Sequence, residues 1–144
     1  MKSIMDPESS TTYLFSEVAN LFRTDFERAM NTLGLHGGQI FILRTLFVND
    51  GQSQIDLALK LNVSAPTINN MVKSLSKNSF VKCRRCDVDG RVMRVYLTKK
   101  AFDLKSQIAQ KWQEFEKMFF SPLNETEILI LCQLFEKLKS RDAQ

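Results

Sequence analysis

Residues 54–73 read Gln54-Ile55-Asp56-Leu57-Ala58-Leu59-Lys60-Leu61-Asn62-Val63-Ser64-Ala65-Pro66-Thr67-Ile68-Asn69-Asn70-Met71-Val72-Lys73. Two short helices joined by a tight turn account for this order. Ser53 stands where a side-chain oxygen caps a first helix running to about Leu61. Ser64 does the same for a second, with Pro66 in its first turn, where no amide partner is lost. Asn62 sits in the turn, which needs left-handed backbone that asparagine tolerates. In the second helix Ile68, Met71, Val72 and Leu75 fall at i, i+3, i+4 and i+7, a one-sided apolar stripe. Ala58 is the small residue that a closely crossing helix requires. Leu57, Leu61, Val63, Ile68 and Met71 supply the inner faces and the turn. The pattern is that of a helix-turn-helix; a plain helical hairpin in an all-α core is the competing reading of this segment taken alone.

The outward face of the second helix separates the two. Thr67, Asn69, Asn70, Lys73 and Lys77 point away from the stripe. Asparagine pairs with adenine edges, and lysine with guanine or phosphate. No acid occurs from Ser64 to Lys82, whereas an ordinary solvated helix mixes both signs; a carboxylate facing phosphates would be repelled. Residues 64–100 hold nine Lys or Arg and two acids, so this window carries +7 and the rest of the chain −3. A basic surface on a near-neutral body is the footprint of a polyanion partner, set against the plainer reading of a solvated basic face.

Working outward, residues 80–86 and 91–97 alternate as strands, Val81 with Lys82, and Val95 and Leu97 with Arg94 and Tyr96. Between them Asp87-Val88-Asp89-Gly90 offers a hairpin turn, strongest at Asp-Gly. Upstream, residues 12–33 form a helix through Leu14, Val18, Leu21, Phe22, Ala29 and Met30, ending near Gly34. A second helix, from about Gly38 to Val48, has so little polar face that it belongs in the core. Asn49-Asp50-Gly51 is a turn. Downstream, Thr98 caps a helix carrying Leu104, Ile108, Trp112, Phe115 and Phe119, which Pro122 ends. Asn124 and Glu127 make a capping-box-like pair at the head of a last helix, lined by Ile128, Leu131, Cys132, Phe135 and Leu138. Residues 1–10 are polar, contain Pro7 and form a flexible tail. The fold class expected is mainly α with a small β-hairpin wing.

Leu33-Gly34-Leu35, the helix-turn-helix, and the hairpin ending Asp89-Gly90-Arg91-Val92-Met93-Arg94-Val95-Tyr96-Leu97-Thr98 together resemble the MarR family of bacterial winged helix-turn-helix regulators. The likeness runs from about Leu33 to Leu104, and the helical order extends it over nearly the whole chain. It implies that residues 11–36 and 101–144 are dimerisation helices and residues 37–100 a DNA-binding lobe. The excess of apolar residues on the first and last helices agrees with a dimer independently. It further implies a homodimer on double-stranded, pseudo-palindromic DNA, with the second helix of each motif in the major groove and each wing in a minor groove. Arg91 matches the family's wing arginine, oriented by an ion pair with Asp89, unless that pair only stiffens the hairpin. Arg84 matches an arginine of the first wing strand. The candidate DNA-binding set is thus Ser64, Ala65, Thr67, Asn69, Asn70, Lys73, Arg84, Asp89 and Arg91. Family members bind small, often aromatic, anions between the dimerisation helices and the lobe; Phe22, Phe26, Phe41, Arg44 and Trp112 are the counterpart candidates. The implied function is a repressor released by such an effector. The chain departs from the family pattern at Cys83 and Cys86, at Gly90 where an arginine is common, and at Gly37-Gly38, a soft start to a helix.

Three cysteines, Cys83, Cys86 and Cys132, are too few and too odd in number for a disulfide framework. A zinc site built on Cys83 and Cys86 would need two more ligands, and Cys132 and His36 lack the spacing. The remaining readings of Cys83 and Cys86 are inert thiols or a redox sensor activated by the flanking arginines. The family's peroxide sensors carry their reactive cysteine in the first helix, which has none here. His36, the single histidine, reads as a cap or surface residue. There is no Gly-rich phosphate loop, paired-carboxylate or nucleophile motif, so an enzyme, a cofactor and a metal are not expected. No apolar run approaches the roughly 20 residues of a membrane span, and no secretion signal opens the chain, which points to the cytoplasm. A protein-interaction module with a basic face is the reading of another class.

Overall fold

The computed structural model describes residues 10–143, so all but Ser10 of the polar tail lies outside the described residues. The elements are α1 (Thr11–Asn31), α2 (Gly37–Val48), β1 (Gln52–Ser53), α3 (Gln54–Leu61), α4 (Ala65–Lys77), β2 (Val81–Arg85), β3 (Met93–Leu97), α5 (Lys99–Phe119) and α6 (Glu125–Lys139), then a 3-10 turn at Ser140–Ala143. The chain divides into two compact units, Met1–Lys111 and Trp112–Gln144, with α5 continuing from the first into the second. No helix among the described residues is long and apolar enough to cross a membrane.

In the first unit α2 is central, as its composition requires: Ile40, Ile42, Leu43 and Leu46 are all buried. Leu57 of α3 and Ile68, Val72 and Leu75 of α4 close the core from below, while Phe26 and Met30 of α1 cover α2. The helix-turn-helix forms by the local chemistry read from the sequence. Ser53 Oγ accepts the Asp56 amide at 3.0 Å. Asn62 ends α3 at φ 53°, ψ 48°. Ser64 Oγ accepts the Thr67 amide at 3.3 Å. Each such cap contributes about 1 kcal/mol to a helix too short to persist alone.

The sheet holds a strand that sequence periodicity does not reveal. β2 and β3 pair from Val81↔Leu97 to Arg85↔Met93, and β1 pairs with the other edge of β3 at Gln52↔Val95 and Ser53↔Arg94. Two residues are too few for alternation to register. Tertiary contacts hold them instead: Asp50 Oδ1 accepts the Leu97 amide at 2.9 Å, and the buried Gln52 amide donates to Asn49 O at 2.7 Å.

Two expectations need correction. The wing turn does not close at Asp87–Gly90. The last hairpin bonds are Cys86 N–H to Val92 O at 2.8 Å and Val92 N–H to Asp89 O at 3.0 Å, so the tight turn is Asp89–Val92 with Gly90-Arg91 at its centre. Among the described glycines only Gly34 and Gly51 have positive φ, so Gly90 does not make the mirror-image turn that Asp-Gly favours in two-residue hairpins. The second correction concerns Gly37-Gly38, which is a close approach rather than a soft start. A β-carbon at Gly37 would lie 2.8 Å from Glu27 Oε2 and 3.1 Å from Phe26 Cδ1, and one at Gly38 would lie 2.9 Å from Met71 Sδ.

In the second unit, Asn124 Oδ1 accepts the Glu127 amide at 2.9 Å and Glu127 Oε2 accepts the Asn124 amide at 2.8 Å, the reciprocal cap expected at the head of α6. The apolar face of α6 is not buried. Ile128 and Leu131 are half-buried, while Cys132, Leu134, Phe135 and Leu138 are exposed. The N-terminal half of α1, in the first unit, likewise exposes Leu14, Phe15, Val18 and Leu21.

Candidate nucleic-acid interface

α4 presents one polar edge to solvent because its opposite edge is anchored in the core. Ser64, Ala65, Thr67, Asn70 and Lys73 are exposed, as is Lys77 at the C-terminal end. Asn69 is the exception within the expected set: it is half-buried on the flank, since its position on the helical wheel borders the buried stripe rather than opposing it. Ser64 and Thr67 hydroxyls lie 2.8 Å apart, so the N-terminal turn is braced by its own side chains. That turn carries no acid, which leaves the positive end of the helix dipole unopposed.

The wing tip is held by charge. Arg91 Nε donates to Asp89 Oδ1 at 3.2 Å and Nη2 to Oδ2 at 3.3 Å, a two-toothed pair, and the Arg91 amide reaches Oδ1 at 3.1 Å. These bonds hold the Asp89 carboxyl below the usual carboxylate range. The Arg91 side chain remains 92% exposed, so the pair orients the guanidinium without hiding it. Arg84 lies over the Tyr96 ring at 4.2 Å, a cation–π contact on the outward face of the sheet.

Two arginines matter that residue type alone did not single out. Arg85 Nη1 donates to Gly90 O at 2.9 Å and ties the strand to the tip. Arg94 donates from Nε to Cys86 Sγ at 3.3 Å and from Nη1 to Gly51 O at 2.9 Å, joining the base of the wing to the turn before β1. Strand parity already put Arg94 on the face of Arg84 and Tyr96; its partners come from the fold.

The thiols differ for the same reason. Arg94, from the opposite strand, and the Asp89 and Val88 amides lower the Cys86 thiol pKa, while burial raises that of Cys83. The flanking Arg84 and Arg85, expected to do this, are occupied with Tyr96 and Gly90. The thiolate is the nucleophile, so iodoacetamide at neutral pH should alkylate Cys86 several-fold faster than Cys83, and Arg94→Ala should narrow the gap. Peptide mapping by mass spectrometry reads both; equal labelling in the wild type would contradict the assignment.

Of the effector candidates, Phe22, Phe26 and Phe41 form one aromatic row, with ring centroids 5.3 Å and 5.5 Å apart. Arg44 is exposed one turn beyond Phe41 on α2, and Trp112 is half-buried at the start of the second unit.

Residues 35–93, which hold α2 through the start of β3, match the model of the MarR family. Over this lobe the chain is similar to the MarR family of regulators. It is 28% identical over 120 residues to the uncharacterized HTH-type transcriptional regulator YwoH of Bacillus subtilis, covering 83% of this chain and 87% of that one. The PcaV transcriptional regulator from Streptomyces coelicolor, solved in complex with its natural ligand, superposes with a TM-score of 0.84 at 17% identity, over 98% of this chain and 99% of PcaV. MepR of S. aureus, solved in complex with DNA, superposes with a TM-score of 0.82 at 22% identity, over 91% and 97%. Both share the winged helix-turn-helix fold with this chain. Its wing thus comprises β1, β2 and β3, and its helix-turn-helix α3 and α4.

Proposed function

We propose that the chain binds a pseudo-palindromic operator as a homodimer, represses transcription there, and is released by a small aromatic or anionic effector. The observation that carries the DNA reading is the acid-free edge of α4, Thr67, Asn70 and Lys73, on the same unit as the braced wing arginine, Arg91. Asn70 suits an adenine edge and Lys73 a guanine or phosphate. Ser64, Ala65, Asn69, Arg84 and Asp89 complete the set, Ser64 through the capped turn that backbone phosphates favour and Asp89 through Arg91. MepR was solved with DNA and PcaV with a ligand, and both bear on a chain of the same fold. Homodimerisation is favoured by the exposed apolar faces of α1 and of α6. In this reading residues 11–36 and 101–144 dimerise and residues 37–100 bind DNA.

The test is binding to the chain's own upstream intergenic DNA against random duplex of equal length, at about 150 mM salt. Selective binding by two protomers per site is expected. Asn70→Ala and Arg91→Ala should each weaken it roughly tenfold, the scale of one good base contact, with circular dichroism unchanged. Binding that is weak, unselective and abolished by salt would leave only a generic basic face for an acidic protein partner. A thiol-switched regulator is the second reading, favoured by the lowered Cys86 pKa. Peroxide sensitivity of operator binding that survives replacement of Cys83, Cys86 and Cys132 by serine would remove it.

A further inference from the structure

We propose that the first turn of α2 is a linkage through which α1 sets the position of α4, with Gln39 as its positioning residue. The chain of contacts is continuous. On α1, Glu27 Oε2 accepts the Gly37 amide at 2.5 Å and Oε1 meets His36 Nδ1 at 2.8 Å. Gln39 Oε1 accepts the His36 amide at 3.0 Å, and Gln39 Nε2 donates to Ser74 Oγ of α4 at 2.9 Å. Gln39 is 4% exposed, so both ends of its amide are committed to protein partners, and withdrawing either leaves a buried polar group unmatched.

Packing reinforces the bonds. A β-carbon at Gly37 would press on the Glu27 carboxylate and the Phe26 ring of α1, and one at Gly38 on the Met71 thioether of α4, so the side chains of both helices pack directly against this turn. A shift of the Glu27 segment therefore either breaks the clasp or drags α2 with it, and Gln39 transmits the second outcome to the middle of α4. A continuous chain of packed and hydrogen-bonded side chains of this kind is what carries energetic coupling between separated segments. The consequence for operator release rests on α4 being the DNA-reading helix; the linkage itself is a property of the protein alone.

Amide hydrogen exchange of the full chain tests it directly. Glu27→Gln keeps the shape but replaces one accepting oxygen with a donor. Gln39→Met keeps the volume and loses both bonds. In each folded variant, amides of α4 should exchange about three- to tenfold faster, the range expected for losing one such bond, although Glu27 bonds to His36 and Gly37 rather than to α4. Ser74→Ala combined with Gln39→Met should be no worse than Gln39→Met alone, because both remove the same bond. On DNA, Gln39→Met should reduce selective binding while random-duplex binding and its salt dependence stay as in the wild type, a split that general loss of structure would not give. Unchanged α4 exchange in Glu27→Gln and Gln39→Met, or fully additive effects with Ser74→Ala, would overturn the proposal. Should Gln39→Met fail to fold, Glu27→Gln and Ser74→Ala carry the same comparison. A wild type without operator selectivity would overturn the DNA reading, while the exchange data would still decide the linkage.

Discussion

Gly51→Ala is expected to lower stability by about 2–5 kcal/mol. Two costs coincide there. Gly51 has φ +71°, where an L side chain loses roughly 1–2 kcal/mol. The new β-carbon would also stand 2.6 Å from Tyr96 Cε1 and 3.1 Å from Cζ. That ring cannot swing away freely, because Arg84 lies across it at 4.2 Å. Overpacking of this kind costs about 1–3 kcal/mol. The Gly51 carbonyl also accepts from Arg94, so the base of the wing should loosen with the turn. Thermal denaturation followed by circular dichroism should show a midpoint lowered by roughly 4–20 °C. Adding Tyr96→Ala relieves the clash but not the backbone cost. The double variant should therefore lose less than the two single losses added together. An unchanged midpoint in Gly51→Ala would mean that the turn is not held as described.

In the proposed homodimer, Leu134→Glu on α6 is expected to give monomers and to reduce operator affinity by at least about a hundredfold. α6 has no buried residue within the described chain, yet Leu129, Ile130, Leu134, Phe135 and Leu138 are all exposed on it. Against a second copy, a carboxylate placed mid-helix would be stripped of water without a partner, which costs far more than the contact it replaces. The affinity loss follows from geometry. Two half-sites gripped at once gain a factor of about 10²–10⁴ over one, and a monomer forfeits it. Analytical ultracentrifugation gives the oligomeric state, and fluorescence anisotropy on operator DNA the affinity. The lobe should keep its fold, since α6 lies in the other compact unit. A Leu134→Glu protein that still sediments as a dimer would move the interface off this face of α6.

The legible parts of this protein were those set by neighbours in sequence. The Ser53, Ser64 and Asn124 side chains accept amides three residues on, and the left-handed Asn62 donates its own amide back to Ala58 and Leu59, so their roles as caps and turn followed from residue type and spacing alone. The stripe Ile68, Val72 and Leu75 fixed which edge of α4 would face out, because a helix that buries one edge must expose the other. The Asp89–Arg91 pair, two residues apart, was legible for the same reason.

What only the tertiary structure decided depends on residues distant in the chain. β1 exists because Asp50 reaches Leu97 and Gln52 meets Val95, contacts more than forty residues long that no local pattern encodes. The double glycine reads as a soft helix start from sequence, and the fold packs Phe26, Glu27 and Met71 against it. The identity of the activated thiol turned on Arg94 from the opposite strand rather than on the arginines beside it. Hydrogen bonds within one turn are dictated by the chain's covalent order. Close approach, strand edges and thiol reactivity depend on which surfaces the folded core presses together, and that is settled only when the whole unit packs.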